Sequence, residues 1–461
     1  MKSVIFLLLR KAIYYISGLC PRSTKAVMGS YQGRFSDNAK YLYLHWQETD
    51  FIRAIWISGD NKLVKQLRLD GFEAYHRRSI GGIFHCLTAK YYLYNCYIGD
   101  ISQYLAKGAV KVNLWHGSPL NKIQFDITSG PLAVTYHATS LKTKLFNSLK
   151  YHQAYIKPDI MFSPSPVMDA LFSSAFRLPI SQIHRSGNPR TDYYRRYPEK
   201  KQSIAQLFNH QYKQVILYRP TWIAPPFSTE ITAEKETGLN TEESKEASKS
   251  SIDIFDWQSL STQLQENNQL FLIRFHPNQA HLAQQLDSYA NIIDISHWQD
   301  IYNIFHEVDL LITDKSSLCI DFLLYQTPTV FYTYSNIRED QASEIVASTR
   351  ALITETQAGH IKSDNYNHGY DYVDNLPLFG IGQSNTIEKF EDLLIKLRTY
   401  DSFYISANES REYKQLTQLF WPEQACDAFD TIEKRIGNIS NKIQVNQEGY
   451  RPTPSHHRHT L

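Results

Sequence analysis

Cysteine is scarce and poorly placed for any shared task. The five residues, Cys20, Cys86, Cys96, Cys319 and Cys426, are odd in number, widely spaced and free of any CxxC pair. That excludes a disulfide framework and a cysteine zinc site, and fits a reducing compartment. An excess of one charge sign is missing too: 48 basic against 46 acidic residues leave a net charge of +2. A general nucleic-acid coat is therefore excluded, no nucleic-acid partner is expected, and any basic surface must be local. Long apolar runs are also lacking. The longest near the start, Val4 to Leu9, is interrupted by Arg10 and Lys11 well short of the roughly 20 residues that cross a bilayer. No small-residue cleavage pattern follows around Cys20, so the segment is not read as a secretory signal.

What is there instead is an apolar series at helical spacing, Ile5, Leu8, Leu9, Ala12, Ile13, Ile16 and Leu19, flanked by Lys2, Arg10, Lys11, Arg22 and Lys25. The pattern predicts a helix over residues 1–25 lying on an anionic membrane surface, with a buried first helix as the alternative.

The 461 residues exceed what one hydrophobic core supports, so two domains are the default, and 42% hydrophobic with 13% aromatic residues is the composition of a chain that folds. Short β-branched and aromatic runs alternate with helical stretches and end in Gly, Pro, Asp or Ser. In the first half these predicted strands are 52–58, 91–97, 110–115, 160–163 and 183–186; in the second half they are 214–218, 270–275, 292–295, 310–313 and 329–332. Two series of this size predict an α/β fold with two Rossmann-like domains. The domains are expected over 26–200, an acceptor side, and 201–400, a donor side, with helices at 401–440 packing back and a disordered tail at 441–461. Residues 225–250, rich in Glu, Lys, Ser and Thr, read as a flexible insertion. The closing segment RPTPSHHRHTL reads as a disordered basic end rather than a metal site.

In open α/β sheets ligands bind beyond the carboxyl ends of the strands, so the residues after each strand are the candidates. Five segments stand out. In WHGSPL, His116 stands at a strand tip, with Gly117 and Ser118 beside it, where it can accept a proton near neutral pH; a turn histidine held by a carbonyl is the plainer alternative. GNPRTD and YRPTW place Arg190 and Thr221 near strand ends, where an arginine fork suits phosphate oxygens. RFHP sets Arg274 and His276 after an apolar strand, a pairing that suits a pyrophosphate. The last, ITDKSSLCIDF, ends a buried strand in Thr313 and Asp314 and opens a helix with Ser316 and Ser317, ahead of Asp321. A helix N-terminus with two hydroxyls predicts an anion site, and simple capping by Asp314 or Ser316 accounts for part of it.

Taken in this order and spacing, the five segments resemble the CDP-glycerol glycerophosphotransferase family, which builds the glycerol-phosphate or ribitol-phosphate chains of teichoic acids and related capsules. The likeness runs from about Lys40 to Leu397 and includes His368-Gly369-Tyr370-Asp371-Tyr372 with Pro377 and Gly380. It implies a GT-B architecture in which His116 and His276 face each other across a crevice. His116 would activate the acceptor hydroxyl. Arg274 and His276 would hold the donor pyrophosphate, Thr313, Ser316 and Ser317 its phosphates, with Asp314 and Asp321 organising that site and Arg190 and Thr221 lining it. Gly117 and Ser118 would lie on the acceptor side.

The implied partners are a CDP-activated polyol donor, a lipid-linked or polymeric glycan acceptor and an anionic membrane at the cytoplasmic face of the cell. The implied reaction is attack by the acceptor hydroxyl on the β-phosphorus with release of CMP. No protein metal site is predicted, magnesium entering only with the donor pyrophosphate. Lys315 and Arg219 depart from the family pattern and add positive charge. A GT-B glycosyltransferase and a non-catalytic scaffold are the competing readings.

Overall fold

The computed structural model describes residues 2–120, 122–128, 133–138, 140–220, 255–275, 283, 286, 288–314, 316–332, 386–387, 389–399, 407–422 and 427–448. The chain divides into two compact units, one formed by 1–116, 134–193 and 422–461 and the other by 117–133 and 194–421.

In the first unit the order is α1 (Lys2–Ser17), β1 (Ser23–Gly29), α2 (Asp37–Thr49), β2 (Ala54–Ser58), α3 (Asn61–Leu69), β3 (Ala74–His76), α4 (Ile80–Thr88), β4 (Ala89–Tyr94) and β5 (Val110–Asn113). After β5 come α5 (Ala133–Tyr136), α6 (Leu141–Lys150), β6 (Ile160–Ser163), α7 (Pro166–Phe176), β7 (Ile183–Arg185) and α8 (Pro189–Arg196). The strands form one sheet in the order β3-β2-β1-β4-β5-β6-β7, and every pairing is parallel. The second unit contains α9 (Ile204–Phe208), β8 (Gln214–Tyr218), α10 (Trp257–Glu266), β9 (Gln269–Ile273), β10 (Ile292–Asp294), β11 (Leu310–Thr313), α11 (Leu318–Phe322), β12 (Thr329–Tyr332), β13 (Thr386–Ile387), α12 (Phe390–Arg398) and α13 (Ala407–Phe420). Its sheet runs β10-β9-β8-β11-β12-β13, again parallel throughout. Both orders have the doubly wound form in which the sequence of strands reverses at one place, between β1 and β4 and between β8 and β11. These are the switch points where such sheets take ligands.

Strands buried on both faces should be apolar along most of their length, and β8 and β9, buried at all five positions each, are apolar after an opening Gln214 and Gln269. The strand β1 breaks that rule and was not predicted. Only Ala26, Val27 and Met28 are apolar in a row, preceded by Thr24 and Lys25, yet β1 is a central strand of the first sheet. At its carboxyl end Gly29 is required by space: a Cβ there would lie 2.9 Å from the Asp100 carbonyl oxygen and 3.1 Å from that of Ile57.

The discovery of β1 corrects the reading of the N-terminus. Lys25 belongs to the strand, is buried, and its Nζ lies 3.1 Å from Nδ1 of His85. Arg22 also turns inward, donating to the carbonyls of Cys86, Ala89, Leu105 and Lys107 at 3.1, 2.8, 2.8 and 2.6 Å. Neither cation flanks a membrane helix. The helix α1 itself docks through Tyr14 and Ser17, which are buried, whereas Ile5, Leu8, Leu9, Ile13 and Ile16 are exposed. A fully buried first helix is thereby excluded.

The last helix, α14 (Ala428–Glu448), extends into the segment read as a tail and belongs to the first unit. Glu433 accepts hydrogen bonds from Nε2 of His45 at 3.0 Å and Nε1 of Trp46 at 3.1 Å, and the Ala428 amide donates to Asp192 at 2.8 Å. The helix α13 packs on the second unit, where Tyr413 donates to the Thr327 carbonyl at 2.6 Å. The predicted insertion at 225–250 and the His368 segment lie outside the described residues, as does everything after Glu448.

Candidate functional site

The first group of candidate residues collects at the carboxyl end of the first sheet. Strand β5 stops at Asn113, two residues short of the predicted end, because Trp115 adopts a left-handed backbone (φ 50°) that no strand continues. The turn is held by side chains: Asn113 Oδ1 accepts from the Trp115 amide at 2.8 Å, and Asn38 Nδ2 donates to the carbonyls of Leu114 and Trp115 at 3.1 and 2.9 Å. Gly117, at φ 105°, occupies a conformation that L side chains rarely adopt. His116 is presented outward between them and is exposed.

Its Nδ1 lies 3.1 Å from the carbonyl oxygen of Asn95, the first residue after β4. A carbonyl only accepts, so Nδ1 carries the proton and Nε2 keeps its lone pair. Desolvation by the surrounding protein holds the imidazole below its ordinary pKa, against the Asp37 carboxylate and the Asn95 carbonyl, which favour protonation, and with the Arg190 guanidinium, which opposes it. The ring is therefore neutral at pH 7 and able to take a proton.

Around it runs a polar network that the sequence did not reveal. Asn95 accepts from the Ala39 amide at 2.9 Å and donates to Ser30 Oγ, which follows β1, at 2.9 Å, tying the two sides of the switch point together. Asn38 Oδ1 accepts from the Arg190 amide at 3.1 Å. Arg190, predicted among the donor-side groups, lies in this first unit with its guanidinium buried and paired to Asp37 at 2.9 Å. Ser118 is buried, its hydroxyl without a partner among the described residues. The boundary between the two units falls between His116 and Gly117, inside this loop.

The second group collects at the switch point of the second sheet. Thr313, fully buried at the end of β11, donates its hydroxyl to the carbonyl of Arg219 at 2.6 Å, and the Arg219 amide donates to Ile312 at 2.9 Å. Burial lowers the Arg219 pKa to about 10, Arg274 acts in the same direction, and Asp314 and Tyr302 oppose them. Two guanidiniums and one carboxylate thus share a neighbourhood after β8, β9 and β11. Arg274 is fixed by donating to the carbonyls of Ile295 and Trp298 at 3.1 and 2.9 Å. Asp321 is fully buried and accepts from the Tyr302 hydroxyl at 2.8 Å, so it orients that tyrosine rather than presenting its own carboxylate.

The predicted anion-binding helix needs correction. The helix α11 has only five residues, too few for a sizeable macrodipole, and Ser317 makes no capping bond. Ser316 does the capping, its Oγ accepting from the Leu318 amide at 3.3 Å. His276, Thr221 and Lys315 lie outside the described residues. Among the described residues, no group of three or more His, Cys, Asp or Glu is placed to hold a metal ion.

Comparison with known proteins bears on both groups. The model of the family described as CDP-glycerol:poly(glycerophosphate) glycerophosphotransferase matches residues 14–343. The teichoic acid glycerol-phosphate transferase of Staphylococcus aureus (strain NCTC 8325 / PS 47) is 26% identical over 348 residues, covering 72% of this chain and 80% of that protein. The teichoic acid poly(glycerol phosphate) polymerase of Bacillus spizizenii (strain ATCC 23059 / NRRL B-14472 / W23) is 27% identical over 332 residues, covering 69% of this chain and 76% of that one. A solved structure of the wall teichoic acid polymerase TagF shares the fold, with a TM-score of 0.64 at 19% identity and 96% of each chain covered. The family match spans more than half of the sequence and takes in all five motifs whole, and on that basis the chain belongs to the CDP-glycerol:poly(glycerophosphate) glycerophosphotransferase family.

Proposed function

We propose that this chain transfers a glycerol-phosphate or related polyol-phosphate unit from a CDP-activated donor to a hydroxyl of a cell-surface polymer or its lipid-linked precursor. The observation that carries the catalytic reading is the open Nε2 of His116, left basic by the bond from Nδ1 to the Asn95 carbonyl. The acceptor oxygen attacks the β-phosphorus, its proton passes to Nε2, and the bond from the β-phosphorus to the bridging oxygen breaks to release CMP. Charge spreads over the phosphoryl oxygens as this happens, so the cations after β8 and β9, Arg219 and Arg274, act by electrostatic stabilisation, with His276 assigned the same role. Thr313 supports Arg219 from below, and Ser316, Ser317 and Asp314 shape the turn that receives the phosphates. Magnesium enters this proposal only as a counter-ion of the donor diphosphate.

The first unit is proposed to rest on an anionic membrane surface at the cytoplasmic face. Among the described residues no helix is long and apolar enough to cross a membrane. Support comes from α1 and its neighbour α6, where Leu141, Leu145 and Phe146 join the exposed apolar residues of α1 while neither helix contains an acidic residue.

The test is to incubate the purified full-length chain with CDP-glycerol, CDP-ribitol and a UDP-sugar and to identify the nucleotide released. CMP from a CDP-polyol, with polyol phosphate gained by the acceptor, is the expected result. Release of a nucleoside diphosphate from the UDP-sugar overturns the proposal in favour of glycosyl transfer.

A further inference from the structure

A hollow of about 470 Å3 opens in the first unit between α1 and the loops that follow β3 and β4. One wall is the apolar side of α1, with Phe6, Leu9 and Ile13. The other carries Arg77 and Arg78, the two residues directly after β3, and Arg10 projects from α1 into the same space. No aspartate or glutamate lines it. The nearest carboxylate in sequence, Asp100, is buried and accepts from the amides of Cys96 and Tyr97 at 2.8 and 3.3 Å.

Arg10 and Arg77 are held in place and Arg78 is exposed at the rim; among the described residues, the only carboxylate that acts on any of the three is the buried Asp100, which favours the charged form of Arg77. Arg10 stacks on Phe6 at 4.0 Å and faces Tyr104 at 5.4 Å, contacts that fix its plane without using its N–H groups. Arg77 is anchored by donating to the carbonyls of Gly99 and Asp100, both at 3.0 Å, while its Nε is buried with no partner among the described residues. Neither Arg10 nor Arg78 forms an ion pair among the described residues. Three cations converging on one cavity repel one another and are stable together only beside an anion or in open water. An apolar wall on the opposite side asks for hydrocarbon.

We propose that this hollow binds the phosphate or diphosphate headgroup of an amphiphilic lipid, held by Arg10, Arg77 and Arg78, with its hydrocarbon chain lying along Phe6, Leu9 and Ile13 of α1. Ser102 and Gln103, which also line the hollow, supply neutral donors to the same oxygens. The source of the headgroup is either a polyprenyl-type carrier, which would make the hollow part of acceptor recognition and so rests on the function proposed above, or a bulk phospholipid, which would make it a membrane anchor.

The experiment measures binding of farnesyl diphosphate, dioctanoyl phosphatidylglycerol, inorganic diphosphate and farnesol to the full-length chain by calorimetry, without nucleotide. One of the two phosphate lipids should bind at least about tenfold more tightly than inorganic diphosphate or farnesol, since both halves of the site are needed. Preference for farnesyl diphosphate identifies the carrier source, and preference for the phospholipid identifies the bulk membrane. R10Q and R78Q, which touch solvent-facing groups, should each weaken binding about tenfold, the magnitude of one charge-assisted contact. S102D adds a carboxylate instead of removing a contact, and should weaken it as much. Equal affinity in wild type and all three variants, or no advantage of either lipid over inorganic diphosphate, overturns the proposal. Because no CDP-polyol is present, failure here is separable from failure of the transfer reaction.

Discussion

The Nδ1 atom of His116 and the carbonyl oxygen of Asn95 lie 3.1 Å apart, and this one bond links the loop after β5 to the loop after β4 beside the switch point of the first sheet. It selects the tautomer whose Nε2 is basic, and desolvation keeps that nitrogen unprotonated below the usual histidine range. A base must be neutral to act, so CMP release should rise with pH through a value below about 6.5 and be flat near pH 7. H116A should lower kcat by roughly 100- to 10,000-fold. Thermal melts run beside the rates separate loss of the base from loss of the bond to Asn95 that joins the two loops. A variant within threefold of wild-type kcat would remove His116 from the mechanism.

The ion pair between Asp37 and Arg190 tunes that base from one side. Asp37 favours the imidazolium and Arg190 disfavours it, so D37N should move the acidic limb of the pH profile down and R190Q should move it up. Opposite displacements are the diagnostic, since a merely structural role would reduce the rate without separating the two limbs. Both variants also break a pair whose arginine is buried, and a loss of stability on the order of 3 kcal/mol is expected for each. Thermal melts run beside the rate profiles would measure it.

How much of this was legible beforehand depended on the kind of signal. Strands such as 160–163, 214–218, 310–313 and 329–332 match their predicted limits because continuous apolar runs bounded by turn residues have few alternatives. Strand β1 escaped because three apolar residues after a lysine carry no period. The motif histidine His116 was legible as a strand-tip residue, but Asn38, Asn95 and Asn113, which build its turn, were not. Single asparagines outside a pattern look like any loop residue, and only their position after a strand or at a helix start marks them. Arg22 and Lys25 were misassigned for a related reason: composition counts a cation without saying which way it points, and Arg22 spends its donors on four inward carbonyls.

Thr313 and Arg219 offer a test of the second group. The buried threonine hydroxyl donates to the carbonyl of the half-buried Arg219. T313V keeps the shape and leaves that carbonyl without its partner, for a cost of about 1–3 kcal/mol. If Arg219 serves the donor phosphates, the loosened loop should raise KM for CDP-glycerol with a smaller effect on kcat, and T313S, which retains the hydroxyl, should restore it. Unchanged KM in T313V, measured by CMP release at varied donor, would assign the bond to folding alone.

The N-terminal helix should detach in mild acid because of one buried imidazole. His152 is almost completely buried, stacks on Tyr104 at 5.3 Å with its ring nearly parallel, and meets the edge of Tyr14 of α1 at 4.9 Å. Both of its nitrogens lack hydrogen-bond partners among the described residues, and desolvation, aided by Lys11, takes its pKa down to about 4. The unfolded chain therefore binds a proton below about pH 6.5 that the folded chain refuses until about pH 4. Stability contributed at neutral pH is lost across that window as the pH falls, by on the order of 3 kcal/mol at its limit. His85, His116, His184 and His306 are shifted in the same direction, so the whole protein should lose stability there. The contribution of His152 is the difference between wild type and H152F, which keeps the stacked ring and removes the titration. The melting temperature of H152F should exceed that of the wild type by an amount that grows from pH 6.5 to pH 4. Parallel curves would show that the ring between Tyr14 and Tyr104 takes its proton as readily folded as unfolded, and that α1 is not held in a pH-dependent way.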